Sequence, residues 1–403
     1  MLRFTTAGES HGAALVSILE GMPAGVRLLS ADVDAQLARR QAGYGRGRRM
    51  QIESDRIEML SGVRAGETLG SPIAMLIRNQ DWRNWQEIMS PAPLASEERD
   101  DGRIAGRKRA VTRPRPGHAD LAGMLKYDRA DARDILERAS ARETTARVAA
   151  GAVCRTLLSQ LDVSVGSHVV ELGDVVARPP ETFPSDLNGE ADGSPLRTLD
   201  RVAEARMIQL VDEAKQAGDT LGGICEVVVT GLPVGLGSHV SWDRKLDGRL
   251  AAALMSIPAV KGVEIGMGFQ AARLHGSGVH DEIDPAEDAV SRGRLRRRSN
   301  NAGGLEGGIT TGEPLVVRVA MKPISTLMRP LASVEMATRE SAASTVERSD
   351  VTAVPAMGVI AEAMAAFVLA DAMLEKFGGD SLRELERNRQ GYLRYLAERD
   401  TGQ

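Results

Sequence analysis

Arg115-Pro116-Gly117-His118-Ala119-Asp120 brings together the residue types that phosphate chemistry needs. Arg107, Lys108, Arg109 and Arg113 precede it, so five fixed cations and one histidine fall within fifteen residues. Cations in a backbone stiffened by proline and glycine suit an anionic, phosphate-bearing ligand. A histidine among them can give a proton to a departing phosphate oxygen near neutral pH. The same cations disfavour a further positive charge on the imidazole. Taken alone, the stretch also reads as a solvated basic loop.

A second histidine lies in Gly8-Glu9-Ser10-His11-Gly12, where small residues allow backbone and ligand to approach closely. Gly8-x-Ser10-x-Gly12 has the spacing of a serine-hydrolase elbow. That elbow belongs between a strand and a helix deep in an α/β sheet, not at residue 8. The run Arg39-Arg40-Gln41-Ala42-Gly43-Tyr44-Gly45-Arg46-Gly47-Arg48-Arg49 carries five arginines and predicts a mobile or ligand-ordered loop. RNA binding is the rival reading, but Tyr44 is the one stacking residue there, and a net charge of −4 does not favour a general polyanion binder.

Residues 300–312 form a glycine-dense loop that includes Gly307, of the kind that offers backbone N–H groups to phosphates. Lys322-Pro323-Ile324-Ser325-Thr326 adds one cation and two hydroxyls. Arg348-Ser349-Asp350 precedes an apolar run, so Asp350 reads as a helix cap or as a carboxylate beside a cofactor. No P-loop or Gly-x-Gly-x-x-Gly fingerprint occurs. His275 and His280 stand near Asp281, Glu282 and Asp284 without a standard ligand spacing, which predicts a polar loop and no metal site.

The elements that must position these groups are less plain. The chain has 403 residues, 42% hydrophobic and 26% charged, enough for a sizeable core. Strands are predicted over 56–60, 73–77, 224–229 and 315–320, and helices over 141–161, 246–257, 356–377 and 381–397. A further short helix, capped by Ser30, leads into the arginine run. Prolines 179, 180, 184 and 195 predict an exposed loop near 177–195, and residues 381–399 a charged C-terminal helix. The spread of motifs predicts one interleaved α+β domain over 1–403. No apolar run reads as a membrane span, no signal-peptide pattern follows Met1, and Cys154 and Cys225 read as buried free thiols. These features predict a cytoplasmic protein.

In this order the motifs resemble the chorismate synthase family along nearly the whole chain. The marks are Gly-Glu-Ser-His-Gly at 8–12, Gly-Tyr-Gly-Arg-Gly at 43–47, Arg-Pro-Gly-His-Ala-Asp at 115–120 and Ser-Ala-Arg-Glu-Thr at 140–144. Gly-Asp-Thr-Leu-Gly-Gly at 218–223, Val-Lys-Gly-Val-Glu-Ile-Gly at 260–266, Lys-Pro at 322–323 and Arg-Ser-Asp at 348–350 follow. The resemblance implies a 1,4-anti elimination of phosphate from 5-enolpyruvylshikimate 3-phosphate to give chorismate. Reduced FMN is required although there is no net redox change, with NADPH or an external flavin reductase as its source of electrons. It implies a layered β-α-β sandwich, helices between antiparallel sheets, assembled as a homotetramer with no nucleic-acid or membrane partner. Carried over, His11 is the proton donor to the reduced flavin, His118 the acid for the leaving phosphate, and Asp350 the carboxylate that helps take the C6 proton. Arg40 and Arg46 bind the anionic substrate or NADPH. The FMN contacts are Arg138, Ala139, Ser140, Pro258, Ala259, Gly307, Lys322, Pro323, Ile324, Ser325, Thr326 and Arg348. The family more often has Asn or Gln where Pro258 stands, and proline leaves only backbone carbonyl or van der Waals contact.

Overall fold

The computed structural model describes residues 1–47, 54–93, 110–346 and 350–399. The first sheet grows from the N-terminus. β1 (Arg3–Ala7) and β2 (Ala14–Glu20) form an antiparallel pair with Thr5 opposite Ile18. β3 (Ile57–Met59) and β4 (Ile73–Arg78) complete the order β1-β2-β4-β3, antiparallel throughout. Alternation along β2 and β4 buries Leu15, Leu19, Ile73, Met75 and Ile77 on one face.

The second sheet comprises β5 (Ser164–Leu172), β6 (Val175–Val176), β7 (Gly223–Thr230), β8 (Val260–Ile265) and β9 (Leu315–Met321). Its order is β8-β9-β7-β5-β6, again antiparallel. Several two-stranded pairs decorate the two larger sheets. The chain is thus a mixed helix-and-strand structure with several antiparallel sheets.

The helices are α1 (Ser30–Gln41), α2 (Asp120–Tyr127), α3 (Arg133–Ala139), α4 (Thr144–Ser159), α5 (Leu187–Asp192), α6 (Arg201–Ala217), α7 (Leu246–Met255), α8 (Val354–Phe377) and α9 (Leu382–Glu398). α4 packs on β1, β2 and α1, while α8 packs on β5, β7 and α7, and the two helices pack on each other. Their crossing is close. A Cβ on Gly151 of α4 would sit 2.4 Å from the Cβ of Ala363 on α8, so the alanine-rich sequences set the spacing.

Four expectations change. Ser30 is the first residue of α1 and not its cap; Leu29 caps it, and Asp32 accepts the Leu29 N–H at 2.8 Å. The stretch 177–195 contains α5, whose Leu187 and Ala191 are buried, because Gly166 on β5 leaves room for the Leu187 side chain. The prolines occupy only its ends. α8 is long and apolar enough to cross a membrane, which contradicts the reading that no such run exists. In this fold 89% of its most apolar window is buried inside the protein, and it carries the buried Glu362. That carboxylate accepts from Arg39 at 2.8 and 3.0 Å, Arg155 at 2.5 Å, Arg197 at 3.0 Å and Ser167 at 2.6 Å. Arg39 therefore leaves the predicted arginine loop and joins the core. Burial pushes the Glu362 carboxyl up, but Arg39, Arg155 and Arg197 outweigh it and hold it down to about 2.

Candidate active site

His11 sits in the turn between β1 and β2. The turn needs Gly8, whose φ is +105° and where a Cβ would lie 2.3 Å from the Ala14 carbonyl oxygen. The His11 backbone N–H donates to Glu137 Oε2 at 2.8 Å, and its ring Nδ1 lies 2.9 Å from both Glu137 oxygens. Trp85 stacks on the ring with centroids 3.9 Å apart. Burial alone would raise the Glu137 carboxyl, but the hydrogen bonds from His11 and the charge of Arg133 hold it below the usual range.

His118 lies in a turn opened by Gly117 at φ +77°. Its Nδ1 is 2.5 Å from Asp120 Oδ1 and 3.1 Å from Arg115 Nη2. Arg115 Nε donates to Asp120 Oδ2 at 2.9 Å and its Nη1 to Thr326 Oγ1 at 3.0 Å. Lys322 Nζ donates to the Gly117 carbonyl at 3.0 Å and lies 2.8 Å from Ser325 Oγ. The 115–120 and 322–326 motifs are therefore one site. Burial opposes the charge on Asp120, yet hydrogen bonds from His118 and Arg115 hold its carboxyl well below the usual range. Burial and the nearby Lys261 lower Lys322. The purely cationic setting expected for His118 is corrected: Asp120 is its nearest partner, and Arg113 turns to Glu335 at 3.3 Å.

Arg40 is buried, with Nε donating to Thr144 Oγ1 at 3.0 Å and Nη2 to the Ala141 carbonyl at 2.8 Å. Among the described residues its Nη1 makes no hydrogen bond, and Asp55 Oδ2 is 3.9 Å away. Burial and repulsion from Arg46 push Arg40 down to about 9, with Arg142 adding to the repulsion. Arg142 pairs with Asp55 at 2.6 Å and donates to Asn79 Oδ1 at 2.9 Å. Asn79 in turn donates to the Gly12 carbonyl at 2.7 Å, beside His11. Asp350 pairs with Arg46 at 2.9 Å and accepts the Gly47 N–H at 2.6 Å.

A further link closes the set. Leu221 N–H donates to the Val351 carbonyl and Thr220 Oγ1 to the Ile324 carbonyl, both at 2.8 Å, which ties the segment of Asp350 to the Lys322 segment. Ala259 joins through its carbonyl, which accepts from Lys322 N–H at 3.0 Å. Ala259 has a φ of +69°, and Pro258 precedes it in the same turn. Ser140, after Ala139 at the end of α3, donates to Ser10 Oγ at 3.1 Å. Arg138 spends its guanidinium on the Thr6 and Gly8 carbonyls at 3.0 and 3.1 Å.

Gly307 stands apart. Its hairpin bonds to Gly237 and meets His239, and among the described residues no hydrogen bond joins it to either histidine group. Arg48, Arg49, Arg107, Lys108, Arg109 and Arg348 lie outside the described residues. Glu137, Asp55, Asn79 and Trp85 carried no signal in the sequence, while Asp120 and Arg142 stood inside motifs without a role assigned to them.

The chorismate synthase family model matches residues 2–374. A chorismate synthase from Symbiobacterium thermophilum is 59% identical over 401 residues, covering 99% of this chain and 100% of its own. One from Geobacter sulfurreducens is 56% identical over 399 residues, with 98% and 99% covered. A crystal structure of chorismate synthase superposes with a TM-score of 0.77 at 42% identity, covering 98% of both chains. The family model, these relatives and the solved fold match over nearly the whole length, and this chain belongs to the chorismate synthase family.

Proposed function

We infer that this chain is a carbon–oxygen lyase that eliminates phosphate from 5-enolpyruvylshikimate 3-phosphate to give chorismate. The observation that carries the reading is a cluster of neighbouring charges. Arg46, paired with Asp350, lies close enough to repel Arg40, whose Nη1 is 3.9 Å from Asp55; Asp55 pairs with Arg142, and Asn79 joins Arg142 to the His11 turn, with His118 reached through the Lys322 segment. Within it three guanidinium groups face two carboxylates, and the buried Arg40 Nη1 has no hydrogen bond among the described residues. A buried donor without an acceptor is costly, and a phosphate or carboxylate oxygen supplies one. Arg40, Arg46 and Arg142 are the residues for the anionic substrate.

His118 protonates the leaving phosphate. Its Nδ1 is taken by Asp120, and Nε2, which has no partner among the described residues, faces the task. Asp350, fixed by Gly47 and Arg46, assists removal of the C6 proton. His11 supplies a proton to the cofactor.

The donors present fit reduced FMN: Lys322, Ser325 and Thr326 as phosphate and ring contacts, with Ser140, Ala139, Arg138, Pro323, Ile324, Pro258 and Ala259 around them. Arg348 and Gly307 remain part of that reading through the family resemblance alone. When bound, the reduced flavin supplies electron density that weakens the C–O bond to phosphate. The same reading includes NADPH or a separate reductase as electron source, a homotetramer, a cytoplasmic location and helices layered between the two large sheets. RNA binding is disfavoured because Arg40 and Arg142 are buried, out of reach of a polymer backbone. Anaerobic incubation of the purified protein with substrate and chemically reduced FMN should release phosphate and chorismate in equal amounts. Reduced FMN without turnover would overturn the reading.

A further inference from the structure

We infer that Glu137 is a positioning residue that holds His11 with a proton on Nδ1, which makes Nε2 the nitrogen that gives up a proton in the site. The inference rests on the reading of His11 as proton donor.

The geometry is a two-point grip. One carboxylate takes both the backbone N–H of His11, at 2.8 Å, and its ring Nδ1, at 2.9 Å. Trp85 fixes the ring plane by stacking at 3.9 Å. Trp85 is itself anchored, because its Nε1–H donates to Asp81 Oδ2 at 2.8 Å and Arg133 lies over its ring. The Glu137 side chain is 2% exposed, so water does not compete for it. The charged groups around His11 are Glu137 and Arg133 from α3, Asp81 behind Trp85, and Arg138 on the carbonyls of Thr6 and Gly8. Among the described residues Nε2 has no hydrogen-bond partner.

Chemistry then decides the tautomer. An ionised carboxylate only accepts hydrogen bonds, so Nδ1 must carry the proton. Its carboxyl lies below the usual range, which keeps Glu137 an acceptor. When His11 acts, the Nε2–H bond breaks and the proton passes to the acceptor. Neutral imidazole remains with its proton on Nδ1, and Glu137 stays a carboxylate throughout. A bare histidine in a glycine turn could rotate or present either nitrogen; the grip removes both freedoms.

The test is solid-state 15N NMR on ligand-free protein labelled at histidine, of which the chain has six. His11→Asn identifies the His11 signals. The expected result is a His11 that always carries a proton on Nδ1, with the second, transferable proton on Nε2 whenever the ring is doubly protonated. In Glu137→Gln the tautomer should become mixed or reverse. Turnover should fall roughly 10–100-fold with little change in KM, by analogy with the loss of a carboxylate that orients a metal-binding histidine. Glu137→Asp should recover part of both. A wild-type His11 protonated on Nε2 alone overturns the proposal, even if Glu137→Gln does not fold. So does a folded Glu137→Gln with unchanged tautomer and turnover. Full turnover in His11→Asn would instead remove His11 as donor, and the tautomer result would still stand or fall by itself.

Discussion

His118 and Arg40 make opposite demands on their surroundings. In the proposed reaction His118 exchanges a proton; its Nδ1 is occupied by Asp120, and its other nitrogen has no hydrogen bond among the described residues. Removing the imidazole removes the acid but leaves Arg115, Lys322 and Thr326 in place to bind. His118→Ala should therefore lower kcat by roughly 10²–10⁴, the usual worth of a positioned acid, while KM moves only a few-fold. Steady-state kinetics with saturating reduced FMN decides it; unchanged kcat takes His118 out of the chemistry. In the same proposal Arg40 instead holds a charge in a buried place until the substrate anion arrives. Arg40→Ala should weaken substrate binding by about 1.5–3 kcal/mol, the range for hydrogen bonds to charged groups, or roughly ten- to a hundred-fold. Equal affinity by equilibrium titration would mean that the substrate anion lies elsewhere.

At the scale of elements, two features separate scaffold from site. Glu362 on α8 ties α1, α4 and the segment of Arg197 together inside the core. Removing its charge leaves buried arginines uncompensated, so Glu362→Gln should cost roughly 3–5 kcal/mol of unfolding free energy at pH 7. The folded carboxyl is held down to about 2 against an ordinary 4.5, so the unfolded chain takes up its proton first as pH falls. The stability from Glu362 is fully present above the unfolded value and is lost as pH drops towards 2. Denaturation curves from pH 6 to 3 should therefore fall more steeply for wild type than for the variant, and parallel curves would refute the linkage.

The second feature is the arginine segment. It was expected to be mobile without ligand, but over 43–47 it is tied down. Tyr44 N–H donates to the Pro195 carbonyl at 2.7 Å, Tyr44 Oη to Asp212 at 2.9 Å, and Val351 N–H to the Gly45 carbonyl at 2.8 Å. A Cβ on Gly45 would press on Val211 at 3.0 Å. Hydrogen exchange at the amides of Tyr44 and Gly47 should already be slow in ligand-free protein. Fast exchange that slows only with both ligands would restore the ligand-ordered loop.

For the whole molecule, the proposed use of reduced FMN requires a source of electrons. No nicotinamide fingerprint stands in the sequence. We predict that purified protein with oxidised FMN and NADPH, without oxygen, makes no chorismate until a separate flavin reductase is added. Sustained product formation without one would show a bifunctional enzyme.

Motif order, the family resemblance, and the core helices and strands with long apolar stretches, such as α4, α8, β7 and β9, are legible in the chain alone. Such features are local: a glycine that needs positive φ, a proline, or an apolar period is set by its neighbours in the chain. Only the tertiary structure decided which charges meet. Arg39 and Arg40 are adjacent in α1, yet their side chains point about 100° apart around the helix axis, and one enters the core while the other enters the site. Glu137 lies 126 residues from His11, and Asp55 lies 87 from Arg142. No periodicity marks either carboxylate, because each earns its place by a contact that exists only after the sheets and helices have packed.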